Sequence, residues 1–482
     1  MKRIHLNEST DLIAPKPPQA GPLRAPSPRH GLAAMAVAVG VVAPMGAAQA
    51  VDWPSGFSKC ADEGGTCKVG DTARQVSFGV KDKWVIKTLS GSVACTSATF
   101  GGADPNPGVN EKCAVGPAGS PAPSPSPAPS PAPSPAPAPS PAPAGQSGGY
   151  AGAVTGGGST TPVTVKTAAE MQAAINAYSG SGGLVIRYAG TFDFGTIPDP
   201  CAQWKKPAGA VVEIKNKSDV TIEGVNGSAA NFGLAVKAAA SNIIIRNMTI
   251  GLLPGSIDAI GIEGQSGKFP SNVWIDHNTL FSSLAECSGA GDLEFDGLVD
   301  NKAGAHHLTY SYNYIHDHHK VGLIGSSDSD ASDRYITFHH NVYSNVGSRM
   351  PLQRAGYTHL YNNLYSKVLT SGANIRMGGY SLIEGNYFEQ SQNPVTSRDS
   401  PSIGYWELRN NNVKSPGDFA TYGITWVASE SSPSRDATDW KSTANFPVGI
   451  PYSYTVHDPV CVKQKLPSVA GAGKNLATLS CN

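Results

Sequence analysis

The sequence predicts an all-β protein: a right-handed parallel β-helix preceded by a small disulfide-stapled module. Two observations carry the solenoid. First, short β-branched or aromatic strands recur in "SDVTIEGVNG", "SNIIIRNMTI", "SNVWIDHNTLFS", "HHLTYSYNYIHD", "RYITFHHNVYSN", "THLYNNLYSKV" and "YSLIEGNYFEQS". Second, asparagine recurs just after them, at Asn247, Asn278, Asn313, Asn341, Asn362 and Asn386, spaced from Asn278 onward by 35, 28, 21 and 24 residues. Periods of this size with variable insertions mark a solenoid, and strands rather than helices fill the repeat. Asparagine suits the corners because it tolerates left-handed backbone. Its amides can also hydrogen-bond up a stack of coils about 4.8 Å apart. A β-sandwich would instead show Asn-Gly hairpin turns, and the repeat region has few.

The elements follow in order. Residues 1–30 are polar and basic, with Lys2, Arg3, Arg24 and Arg29; "GLAAMAVAVGVVAPMG" is a short apolar run, and Ala48-Gln49-Ala50 has the small-x-small form of a cleavage site. Residues 1–50 therefore read as a signal peptide, and the product as secreted and extracellular. The apolar run is short for a bilayer span, and no later segment qualifies. Eight cysteines in an exported chain favour disulfides over metal thiolates.

Residues 51–116 form a small Cys-rich module with Cys60, Cys67, Cys95 and Cys113. Two disulfides would compensate for a small core, and nearest-neighbour pairing is the expected one of three connectivities. Trp53, Phe57, Phe78, Trp84 and Phe100 are many rings for this length. They are either the core or exposed platforms for sugar faces, as in a carbohydrate-binding module. Residues 117–147, with "SPAPSPSPAPSPAPSPAPAPSPAPAG", read as an extended polyproline-II linker. Residues 148–482 are the β-helix domain, expected to be monomeric as a capped solenoid.

Lysine plus arginine and aspartate plus glutamate both number 36, so the chain has no net basic field for nucleic acid. Any polyanion must be held by a local cluster. "GDLEFDGLVDN" supplies Asp292, Glu294, Asp296 and Asp300, and "LPGSIDAIGIEG" supplies Asp258. In a straight strand Asp296 and Asp300 would lie roughly 13 Å apart. A bend at Gly297, plus a neighbouring coil carrying Asp258, could gather them around Ca²⁺, which accepts many oxygen ligands in loose geometry. The ordinary alternative is a solvated acidic loop. Lys302, Lys320, Arg349, Arg354 and Arg376 follow on successive repeats. An acid cluster beside a cation cluster in one groove points to an anionic polymer bound through calcium and bidentate arginine. His318 and His319 are adjacent, so they point apart on a strand and read as structural.

"NVWIDHNTL", "DGLVDNKAGAHHLTYSYNYIHDHHKVGLIGSSDSD" and "RMPLQRAGYTHLYNNLY", with "CAQWKKP" and "KLPSVAGAGKNLAT", resemble bacterial secreted pectate lyases of polysaccharide lyase family 1. The resemblance covers 160–482 and leaves out the module and linker. It implies a calcium-dependent lyase that cleaves α-1,4-polygalacturonate of the plant cell wall by β-elimination, giving 4,5-unsaturated oligogalacturonates. It implies calcium carboxylates at Asp258, Asp296 and Asp300, with Asp292 helping when substrate is present. Arg349 matches the catalytic arginine. Lys320 and Arg354 match the substrate-carboxylate binders, flanked by Lys302 and Arg376. Cys201–Cys287 and Cys461–Cys481 are the implied disulfides. Asp296 stands where some members have Glu, and Ser256 where some have another Asp. The Trp274-Asp276-His277 motif reads as structural. Rival readings are a β-helical hydrolase, a pectin lyase on methylated substrate, and a non-catalytic polysaccharide-binding solenoid.

Overall fold

The computed structural model describes residues 52–54, 57–81, 83–101, 105–116, 146–287, 294–429 and 433–481. The signal peptide and nearly all of the linker lie outside the described residues. The chain divides into two compact units, 1–132 and 133–482.

The first unit holds a four-stranded antiparallel sheet. Its long hairpin pairs Thr66–Val80 with Lys83–Ala94. Cys60–Cys67 and Cys95–Cys113 are bonded, the nearest-neighbour pairing. Phe78 and Phe100 are buried and stack with centroids 5.2 Å apart, so these two rings are core. Trp53, Phe57 and Trp84 stay partly exposed.

The second unit is a parallel β-helix with three faces. Among the described residues the first face has nine strands, from Val211–Lys215 to Val395–Ser397 in parallel, closed by an antiparallel Arg435–Asp436. The second has ten, from Val163–Val165 to Tyr405–Arg409. The third has seven, from Ala229–Ala230 to Tyr387–Ser391. Inward residues such as Ile222, Ile245, Ile275 and Tyr310 fill one continuous core along the axis. The helix Ala168–Ala177 covers one end. Thr167 caps it by accepting the Glu170 N–H, and Met171 and Ile175 enter the core. Cys201–Cys287 and Cys461–Cys481 are bonded, the latter fastening the helix Pro459–Val469 to the C-terminal tail.

The asparagine pattern splits into two roles on consecutive positions. Asn247, His277, Tyr312, His340, Asn362 and Asn410 take the left-handed corner conformation. From the His277 corner onward, with Gly385 as a further left-handed corner, the following residue builds the ladder, running Asn278–Asn313–Asn341–Asn363–Asn386–Asn411 through amide hydrogen bonds of 2.9–3.2 Å. The ladder member in that coil is thus Asn363, not Asn362. Asn362 instead ties Thr455 and His457 of the C-terminal segment to the corner.

Candidate active site

Parallel register turns sequence spacing into adjacency on the first face. Gly261 lies opposite Asp300 and Glu263 opposite Lys302. Asn301 lies opposite Ile324, Ile324 opposite Gln353, and Gln353 opposite Ile375. One position further along, Lys302, Gly325, Arg354 and Arg376 therefore form a single file across four coils.

Asp258, Asp296 and Asp300 converge, with one carboxylate oxygen from each within 4.8 Å of the others. Asp296 and Gly297 precede the strand Val299–Lys302, so the chain turns into the strand and the extended separation never arises. Gly297 is needed there for space rather than for a bulge within a strand. A Cβ on it would stand 2.3 Å from Asp300 Oδ1. Asp300 is almost wholly buried, and its Oδ1 accepts the Leu323 N–H at 3.0 Å. Asp258 Oδ1 is buried without a hydrogen-bond partner. Burial, then the Asp300 charge, push the Asp258 carboxyl up to about 7, against the pull of Lys302. Asp292 lies outside the described residues.

Lys302 reaches into these acids. Its Nζ sits 2.8 Å from Asp258 Oδ2 and 3.1 Å from Asp300 Oδ2. Burial opposes its charge, but Asp300 and Asp258 outweigh burial and raise its pKa above the usual lysine value.

The arginines stand beyond. Arg354 donates from Nε to Asp328 Oδ1 at 2.9 Å and from Nη1 to the Gly325 carbonyl at 2.8 Å. Arg376 is nearly buried and pairs with Asp399 at 3.5 Å, while its Nε has no partner. Burial, then Arg354, push Arg376 down to about 10, with Arg349 adding. Lys320 ends the strand Tyr314–Lys320 opposite Ser348, so Arg349 follows directly beside it. Arg349 holds φ at 70°, a left-handed backbone costly for a bulky side chain. His318, fully buried, bonds Ser282 through Nδ1; burial, then Lys320 above all, push it down to about 3. It remains neutral beneath the two cations.

Asp328 and Asp399, which orient Arg354 and Arg376, escaped the sequence reading. Asp328 was visible in "SSDSD" but had no spacing that tied it to an arginine 26 residues on. The Trp274-Asp276-His277 motif lies on the second face in a closed network. Asp276 bonds Ser311 and His277, Trp274 donates to Ser311 at 2.7 Å, and His277 Nε2 meets the Ala477 carbonyl at 2.9 Å.

The file of cations ending in an oxygen-lined acid cluster, on a β-helix face, is a candidate site for an anionic polymer. The pectate lyase family model matches residues 138–475, and the chain belongs to that family. It is 47% identical over 350 residues to pectate lyase 1 of Pectobacterium carotovorum, covering 68% of this chain and 91% of the relative. The structure of pectate lyase II from Xanthomonas campestris pv. campestris matches at 57% identity with a TM-score of 0.65, over 68% of this chain and 99% of that one. Pectate lyase C from Erwinia chrysanthemi, solved at pH 9.5 with 30 mM Ca²⁺, matches at 43% identity with a TM-score of 0.66, over 70% of this chain and 99% of that one. An arginine-to-lysine mutant of that enzyme was solved in complex with pentagalacturonic acid.

Proposed function

We propose that this lyase is exported and calcium-dependent, and that it cleaves α-1,4-linked polygalacturonate by β-elimination in the first-face groove. The observation that carries the reading is the juxtaposition of the acid triad with the Lys302–Arg354–Arg376 file. Support for calcium comes from the donor chemistry: three carboxylates, oxygen only, with one oxygen of Asp258 buried and unpartnered. The pectate lyase C structures with Ca²⁺ and with pentagalacturonic acid support the cation and the substrate class. Asp258, Asp296 and Asp300 would hold the ion, with Asp292 assisting. Bound there, calcium would neutralise a uronate carboxylate and so acidify the adjacent C5–H.

The chain's own residues do the rest. Arg354 and Lys320 hold the uronate carboxylate and stabilise the charge that develops on it, with Arg376 alongside. Arg349 takes the C5 proton. The C5 electron pair forms the C4=C5 double bond, the C4–O bond breaks, and the expelled oxygen takes a proton from solvent. Arg349 acts as base in its deprotonated form, which alkaline pH favours. The module at 51–116 would hold a second wall polysaccharide, and with Phe78 and Phe100 in the core that contact falls to Trp53, Phe57 and Trp84.

The test is ultraviolet absorbance of the unsaturated product from polygalacturonate, with and without chelator, beside methylated pectin. Absorbance that needs calcium is expected. New reducing ends without absorbance would mean hydrolysis. Chelator-resistant turnover of methylated pectin would mean a pectin lyase, and binding without product would mean a non-catalytic solenoid.

A further inference from the structure

Lys302 is an odd partner for a calcium site. Residues that hold a divalent cation gain nothing from an ammonium already seated among them. Yet its Nζ takes one oxygen of Asp258 at 2.8 Å and one of Asp300 at 3.1 Å, in the same triad whose oxygens converge. Register fixes this. Asp300 and Lys302 are two apart on one strand, so both point outward on the first face. Asp300 Oδ1 is already committed to the Leu323 N–H, which leaves Oδ2 for a cation. Asp258 offers one oxygen to Lys302 and keeps the other buried and unpartnered.

We infer that Lys302 is a tethered counter-cation that competes with the divalent ion for Asp258 and Asp300, and so sets the calcium concentration at which the site fills. The inference rests on the calcium reading above. Three carboxylates close together are tolerable without metal only if something positive lies among them. One ammonium does that, and it leaves a deficit of two charges for one divalent ion. The incoming ion must then either bear the repulsion of the ammonium or displace it. The lysine stem is long and flexible, and Lys302 lies in the same file as Arg354 and Arg376. Displaced, its ammonium would join that file, where a uronate carboxylate could accept it. Calcium would then bind weakly to the resting protein and better beside an anionic polymer.

The test is calorimetric Ca²⁺ titration of the full chain without substrate, at one fixed alkaline pH. Lys302→Met and Lys302→Gln should each bind Ca²⁺ about ten-fold or more tightly than the parent, since a neutral side chain removes the repulsion. Both should melt lower than the parent in chelator and gain more on adding Ca²⁺. Competition against a chelator of known affinity gives the same constant from loaded protein, should a variant unfold without the ion. Unchanged or weaker affinity in both variants overturns the inference. A parent chain that binds no Ca²⁺ overturns the calcium reading instead.

Discussion

Arg354 stands directly opposite Arg376 on the neighbouring coil, two guanidinium-bearing residues in parallel register about 4.8 Å apart along the axis. Like charges so placed repel, and each is steadied by an acid, Asp328 for Arg354 and Asp399 for Arg376. Such a pair gains most when an anion lies across it. Arg376→Met should therefore leave the melting temperature unchanged or raised, while KM for polygalacturonate rises several-fold. A lower melting temperature with unchanged KM would make Arg376 structural.

Arg354→Lys tests the fork. The guanidinium reaches Asp328 and the Gly325 carbonyl at once, which a single ammonium does not reproduce. KM should rise by about ten-fold with part of the turnover retained, the pattern of lost ground-state binding. Equal KM values for Arg354→Lys and the parent would remove Arg354 as a clamp.

Chelator should abolish cleavage, and added Ca²⁺ should restore it. Asp300→Ala should lower turnover by at least about 100-fold at fixed calcium, since it removes a ligand and leaves the Leu323 N–H unpaired. The calcium requirement should also depend on pH. Asp258 sits at about 7 without metal and must ionise to bind, so apparent affinity should rise with pH through that region. Affinity independent of pH between 6 and 8 would take Asp258 out of the ligand set.

The fold was legible because its signal is periodic. Strands, corners and asparagines repeat, and each repeat reinforces the others. The two-residue corner was not, because "YNN" offers both Asn362 and Asn363, and only the stacked amides separate ladder from corner. The acid triad was half legible. Residue types suggested oxygen ligation, but strand spacing alone kept Asp296 and Asp300 apart, and the turn before Val299 lies in backbone geometry. The contact of Lys302 with the acids was hidden for a related reason. A sequence shows that a lysine follows an aspartate, not whether its ammonium folds back or reaches into a groove.

The ladder makes its own prediction. Asn341 accepts the Asn313 N–H at 3.0 Å and donates to the Tyr310 carbonyl at 2.9 Å and to Asn363 at 3.0 Å. Asn341→Leu orphans these groups in a dry interior. The loss should be roughly 3 kcal/mol or more, read as a lowered denaturant midpoint. A loss below about 0.5 kcal/mol would mean the ladder is replaceable by packing.

Acid should unfold the β-helix through its buried histidines. Burial foremost holds His318 at about 3, His339 at about 4 and His340 well below its usual value. These groups stay neutral when folded but protonate near 6.5 when unfolded, so stability is full above that pH and falls as pH drops toward 4. Each contributes a slope of up to about 1.4 kcal/mol per pH unit. Asp258 and His277, whose values are raised, pull the other way. The decisive comparison is therefore between slopes. His318→Leu should flatten the melting-temperature profile between pH 6.5 and 4.5 relative to the parent, and parallel profiles would reject the account.

Arg349→Lys separates chemistry from charge. The strand Val342–Ser348 delivers Arg349 beside Lys320, and the Gly322 N–H holds its carbonyl at 3.0 Å. Its φ of 70° lies in the left-handed region, which is costly for a bulky side chain and persists only where the surrounding structure holds it. If Arg349 only attracts the polymer, lysine supplies the same charge and turnover survives. If it takes the C5 proton, the accepting nitrogen must lie within hydrogen-bond reach of that proton, and a shorter, tetrahedral ammonium misplaces it. Turnover should then fall by roughly three orders of magnitude or more while KM changes little, because the carboxylate contacts of Lys320, Arg354 and Arg376 remain. Near-parental turnover in Arg349→Lys would return Arg349 to an electrostatic role and leave the base to be sought elsewhere on the first face.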